Sequence, residues 1–138
     1  MYVGKPAVFD GFISHDDEIT QMPPGAVNLA SNAWSSVQAV AVRYKAGAFW
    51  AVQYHPEYDL REIARLIHCR TKKLTKYGFF EGAEQARDFV ERLEALYREP
   101  ERKDLRWSLA IDDDVLSDEV RHCEFVNWVE HQVMREGA

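Results

Sequence analysis

The sequence predicts an α/β chain in which the strands come first and the helices follow. Three observations carry that expectation. Before Pro56, short runs rich in β-branched and aromatic residues recur. Turn signals, Met22-Pro23-Pro24-Gly25 and Lys45-Ala46-Gly47, separate those runs. After Pro56 the apolar residues return at the 3.6-residue spacing of a helix.

Taken in order, residues 7–13 (Ala-Val-Phe-Asp-Gly-Phe-Ile) read as a strand, and polar residues 14–18 follow it. Residues 26–31 read as a second short strand. Val37 to Arg43 and Ala48 to Tyr54 read as two more, joined as a hairpin through the glycine-containing loop. Their high apolarity predicts strands covered on both faces. Leu60, Ile63, Ala64, Ile67 and Leu74 then mark a helix, with Asp59 as its N-cap, Glu62 as the capping-box partner and Tyr77-Gly78 as its end. Ala86, Phe89, Val90, Leu93, Leu96 and Tyr97 mark a second, ended by Pro100. Asp104 to Ala110 reads as a short helix. Asp112-Asp113-Asp114 precedes a last one running to about Met134.

Composition narrows the function. The chain has 138 residues, 46% of them apolar, enough for one domain with a core. It lacks an apolar stretch of the ~20 residues that span a bilayer, and its start does not read as a signal peptide. Cys69 and Cys123 do not make a disulfide framework or a zinc cluster, so a reducing, cytoplasmic location is expected. A net charge of −6 argues against phosphate-driven nucleic-acid binding. The acidity is concentrated in residues 112–138, which hold eight acidic and two basic side chains. That pattern suggests a solvated flank or a docking surface.

Two polar clusters could carry chemistry: Ser14-His15-Asp16-Asp17-Glu18 and Gln53-Tyr54-His55-Pro56-Glu57, each at the end of an expected strand. Open α/β sheets gather ligand sites at the carboxyl ends of their strands. Residues two apart in extended chain point the same way, which pairs His15 with Asp17 and His55 with Glu57. Pro56 biases His55 toward extended backbone. A carboxylate that holds an imidazole in one tautomer is the orienting half of a nucleophilic triad. The same residues also fit plain turn polarity, a core hydrogen bond or a solvated loop. A third reading is a metal held by His15, Asp17, His55 and Glu57.

A set of motifs then adds a resemblance. His15-Asp16-Asp17-Glu18-Ile19, Met22-Pro23-Pro24-Gly25, Ala30-Ser31, Gln38-Ala39 and Val52-Gln53-Tyr54-His55-Pro56-Glu57 occur in the order and at the intervals of class I glutamine amidotransferases. The chain resembles their GMP-synthase-like stand-alone branch most closely. The resemblance implies the C-terminal part of a flavodoxin-like fold over residues 1–77, with residues 78–138 as a helical extension packed on it. It implies a Cys-His-Glu triad that hydrolyses the side-chain amide of glutamine, with His55 and Glu57 as catalytic members. Ser14 and His15 would lie on the substrate side, and Asp17 would organise their loop. No cofactor and no metal are implied. The ammonia acceptor would sit on a separate synthetase, because no synthetase motif follows.

The chain departs from that family at the nucleophile. Neither cysteine stands in a Gly-x-Cys-x-Gly elbow. Cys69 falls within the first helix and reads as a buried small apolar residue. The chain is therefore expected to be inactive alone, and to be oligomeric, strand-swapped or bound to a complementary fragment. The alternative is an inactive interaction or regulatory module. In the extension, Trp107, Phe125, Trp128 and Val129 are expected to wrap the helix layer or to form a subunit contact.

Overall fold

Three strands form one antiparallel sheet in the order β1-β2-β3: β1 Ala26–Ala30, β2 Ala39–Tyr44 and β3 Gly47–Val52. The computed structural model describes residues 1–134. Its contacts divide the chain into two units, Met1–Pro56 with the segment from His122 onward, and Glu57–Arg121.

In the first unit, β2 and β3 pair from Ala39↔Val52 to Tyr44↔Gly47, leaving Lys45 and Ala46 as the loop. Lys45 takes a left-handed φ of 55° to close it. β1 pairs with the other edge of β2, with an irregularity between Asn28 and Ala30. Two expectations fail here. Residues 7–13 are not a strand, and only Phe12 pairs singly, with His55. Asp10-Gly11 interrupts the run, and strand propensity is realised only where a ladder partner exists. Phe9 instead packs against the rings of Tyr2 and Tyr54, with centroids 5.6 and 5.5 Å away. Nor is the sheet covered on both faces, since Val27, Phe49 and Tyr44 are 58, 62 and 70% exposed. An antiparallel sheet tolerates one wet face, and no parallel ladder occurs among the described residues.

The second unit is helical. α1 (Leu60–Lys76) starts at Asp59, whose carboxylate accepts the Glu62 amide at 2.7 Å. It stops at Tyr77-Gly78, where Gly78 has φ 81° and the amide of Phe79 donates to the Leu74 carbonyl at 3.0 Å. α2 (Ala83–Arg98) buries Ala86, Val90, Leu93 and Leu96, and packs on α1, which buries Leu60 and Ala64. Truncating Leu93 or Leu96 to alanine in such a layer costs about 2–5 kcal/mol. α3 (Lys103–Leu109), α4 (Asp113–Leu116) and α5 (Asp118–Arg121) complete the unit.

Three corrections fall on the helices. Cys69 is exposed, because it lies five residues past Ala64 and so about 140° round the helix from that buried position. The expected single helix after Asp112 is broken into α4, α5, α6 (Cys123–Trp128) and a π-helical turn at Val129–Val133. Ser117 is extended, and the buried Arg121 guanidinium turns back to the Val115 carbonyl at 2.6 Å. Trp107, Phe125 and Trp128 are 79, 62 and 40% exposed, so they are not core. No helix among the described residues is long and apolar enough to cross a membrane.

Candidate active site

The end of β3 organises the site. Beyond Val52 the chain stays tethered, because the Gln53 amide donates to the Gln38 carbonyl and the His55 amide to the Phe12 carbonyl, each at 2.8 Å. The chain bends at Gln53 and Tyr54 before His55 pairs singly with Phe12. Tyr54 turns inward and is buried, while Gln53 and His55 are half-buried.

The first polar cluster folds against this strand end. Gln53 Nε2 donates to the Asp17 carbonyl at 2.8 Å. The His15 Nδ1–H donates to that same carbonyl at 2.7 Å. A carbonyl only accepts, so His15 carries its proton on Nδ1, and its Nε2 then accepts from Gln38 Nε2 at 3.3 Å. Both ring nitrogens of His15 are thus engaged, which suits a loop anchor better than a proton carrier. The bond that orients this imidazole comes from the main chain of Asp17, not from its carboxylate. Ser14 and Asp17 are exposed beside it. Glu57 is exposed, lies in a turn with Pro56 and opens the second unit, so the extended alternation expected from the sequence is not what the backbone adopts there, and its pairing with His55 is what the family resemblance implies. Among the described residues no three His, Cys, Asp or Glu side chains cluster closely enough to hold a metal ion. The four-residue metal reading is therefore set aside.

Behind Tyr54 lies a buried cluster that sequence reasoning missed. The Tyr54 hydroxyl donates to Glu124 Oε1, and Lys5 Nζ donates to the same oxygen. The Tyr2 hydroxyl lies 2.9 Å from that of Tyr54. The Lys5 ammonium also sits 4.3 Å from the Phe9 ring centroid. Burial, and then the bond to Glu124, push the Tyr54 phenol far above its usual range, and burial pushes Tyr2 up to about 12. α6 also holds the N-terminus. Asn127 Nδ2 donates to the Met1 and Val3 carbonyls, each at 2.8 Å, and the Cys123 thiol to the Val3 carbonyl at 2.9 Å. Burial pushes the Cys123 thiol up, away from a reactive thiolate. No local pattern marks Glu124 in the sequence, because its partners lie 70 and 119 positions away.

A groove of about 740 Å³ opens between the N-terminal segment and β1, with Gln38 and Tyr54 in its wall. Neither His15 nor His55 lines it, so the groove and the histidines are separate features.

Comparison with known proteins bears on this arrangement. No family model and no solved structure matches the chain. A gamma-glutamyl-L-1-hydroxyisopropylamide hydrolase of a Pseudomonas species is 31% identical over 137 residues, covering 97% of this chain and 45% of that protein. A glutamine-hydrolyzing GMP synthase of Nitrosomonas eutropha is 41% identical over 54 residues, 39% of this chain and 10% of the synthase. The homology is that of the class I glutamine amidotransferases. The amidotransferase-like chain spans less than half the length of either relative. The alignment with the gamma-glutamyl amide hydrolase covers 97% of this chain and so takes in its helices as well as its sheet.

Proposed function

We propose that this chain carries the acid–base part of a γ-glutamyl amide hydrolase, with glutamine or a related γ-glutamyl amide as substrate. His55 is the proton carrier and Glu57 the carboxylate that orients it. The observation that supports this most is the meeting of the two polar clusters at the end of β3. The chain in which they meet aligns almost throughout with a hydrolase named for a γ-glutamyl amide.

The chemistry follows from those roles. A cysteine gives its proton to His55, and its sulfur attacks the γ-carbonyl carbon. The C–N bond breaks, and the amine or ammonia leaves with the proton that His55 returns. Water then adds to the thioester, again through His55, and glutamate departs as the thiol is restored. Glu57 holds the imidazole and stabilises its charged form. His15 anchors the loop that presents Ser14 toward the substrate, and Asp17 organises that loop through its carbonyl.

The nucleophile comes from outside these residues. Cys69 is an exposed helix residue and Cys123 is engaged with the Val3 carbonyl. We therefore read the chain as one part of a flavodoxin-like amidotransferase. The elbow and the parallel strands would be supplied by further polypeptide, and the protein would work in the cytoplasm. The test is release of ammonia from glutamine and of amine from a γ-glutamyl alkylamide. The chain alone is expected to release neither. Together with a polypeptide carrying a Gly-x-Cys-x-Gly elbow it is expected to hydrolyse both, and His55→Ala to abolish that turnover. Turnover insensitive to His55→Ala overturns the assignment.

A second reading, an inactive module that binds a synthetase, a complementary subunit or its own copy, draws on the exposure of Trp34 (87%), Phe49 (62%) and Val27 (58%) on and beside the sheet. Sedimentation at micromolar concentration, read together with the hydrolysis assay, separates the two. A mass well above 16 kDa without hydrolysis in any combination favours the module.

A further inference from the structure

We propose that the buried Lys5–Glu124–Tyr54 cluster positions His55, which makes α6 a working part of the site. The inference rests on the reading of His55 as the proton carrier.

Two backbone bonds hold the strand end, from Gln53 to the Gln38 carbonyl and from His55 to the Phe12 carbonyl. Two points fix a line but leave rotation about it. That rotation is the one that swings side chain 55. Tyr54 is the residue between them, and its buried side chain leaves the chain directly before His55. Anchoring the Tyr54 hydroxyl on Glu124 therefore fixes the backbone rotation from which the His55 side chain departs.

The anchor is built for geometry more than for stability. The side chains of Lys5 and Glu124 are 2 and 5% exposed. An apolar replacement of such a buried pair is often no less stable, so the pair's distinctive contribution is a unique place for the hydroxyl. Glu124 in turn is held by α6, whose neighbouring Asn127 and Cys123 clasp the Met1 and Val3 carbonyls. The ring of Phe9 closes the cluster edge-on against Tyr54. Tyr2 bonds the Tyr54 hydroxyl and packs its ring on Phe9, without a hydrogen bond of its own to Glu124 among those described. It supplies an internal control of the same chemistry.

The test uses the full, isotope-labelled chain and needs no turnover. Tyr54→Phe removes one hydroxyl and keeps the ring. We expect it to fold, to shift or broaden the imidazole resonances of His55, and to speed exchange of the His55 amide about tenfold. Tyr2→Phe is expected to leave the His55 signals near those of the native chain. The proposal falls if folded Tyr54→Phe leaves those signals unchanged, or if Tyr2→Phe moves them equally. Should Tyr54→Phe not fold, Glu124→Gln, which keeps an acceptor, is compared with the double variant Lys5→Met/Glu124→Leu, which keeps none. The first is expected to retain the His55 signature and the second to lose it, and identical spectra overturn the proposal. If His55 responds but no hydrolysis depends on it, the functional reading falls and the positioning stands.

Discussion

The side-chain amide of Gln53 donates to the backbone carbonyl of Asp17 at 2.8 Å, across 36 positions of sequence. This contact docks the loop of the first polar cluster on the strand end of the second. Gln53→Ala removes it and leaves His15 as the remaining donor to that carbonyl. One such bond is worth about 1 kcal/mol. Limited proteolysis should therefore cut residues 14–18 roughly five- to tenfold faster, with little change in the global unfolding midpoint.

Loss of the proton carrier should be more damaging than loss of its orienting carboxylate. In hydrolysis assays with a polypeptide that supplies the elbow, His55→Ala should lower kcat by roughly 10⁶-fold and Glu57→Gln by roughly 10⁴-fold. KM should change little, because neither role is ground-state binding. Equal rates for Glu57→Gln and the native chain would remove Glu57 from the triad.

Alkaline pH should loosen the first unit. Burial raises the Tyr2 phenol from 10.0 to about 12 and moves Tyr54 in the same direction. The folded state therefore binds protons more tightly than the unfolded state. This contribution to stability is complete below pH 10 and is lost as pH rises through about 12. Urea unfolding followed between pH 9 and pH 11.5 should show the decline, and Tyr2→Phe should make it shallower.

Asp59 caps α1 through the Glu62 amide. Asp59→Ala should destabilise the second unit by about 1 kcal/mol, read as a fall in the denaturation midpoint. Asp59→Ser should restore most of it, since a hydroxyl also accepts from the first turn.

Two left-handed helix ends should respond with opposite signs. Gly78, at φ 81°, ends α1, and Gly78→Ala should cost about 1 kcal/mol. Ala110, at φ 53°, ends α3 in the conformation that favours glycine. Ala110→Gly should therefore stabilise the chain by up to about 1 kcal/mol. Thermal melts of both variants check the pair.

The sequence by itself determined whatever acts over a few residues. The Asp59 cap, the Tyr77-Gly78 stop, the β2–β3 hairpin and the two long helices are all legible, because their partners lie within a turn or across a short loop. The motif of His55 and Glu57 was legible for the same reason: its residue types, order and spacing are local. Tertiary structure alone decided the rest. Residues 7–13 are apolar enough for a strand, yet a strand needs a ladder partner, and they find only the single pairing of Phe12 with His55. The tail looked like one helix, yet Arg121 and Ser117 break it through contacts that no periodicity encodes. Glu124 read as one acid among eight in an acidic tail, and only packing placed it beside Lys5 and Tyr54. Backbone geometry is set near each residue, whereas burial and long-range hydrogen bonding depend on what the whole chain brings to that point.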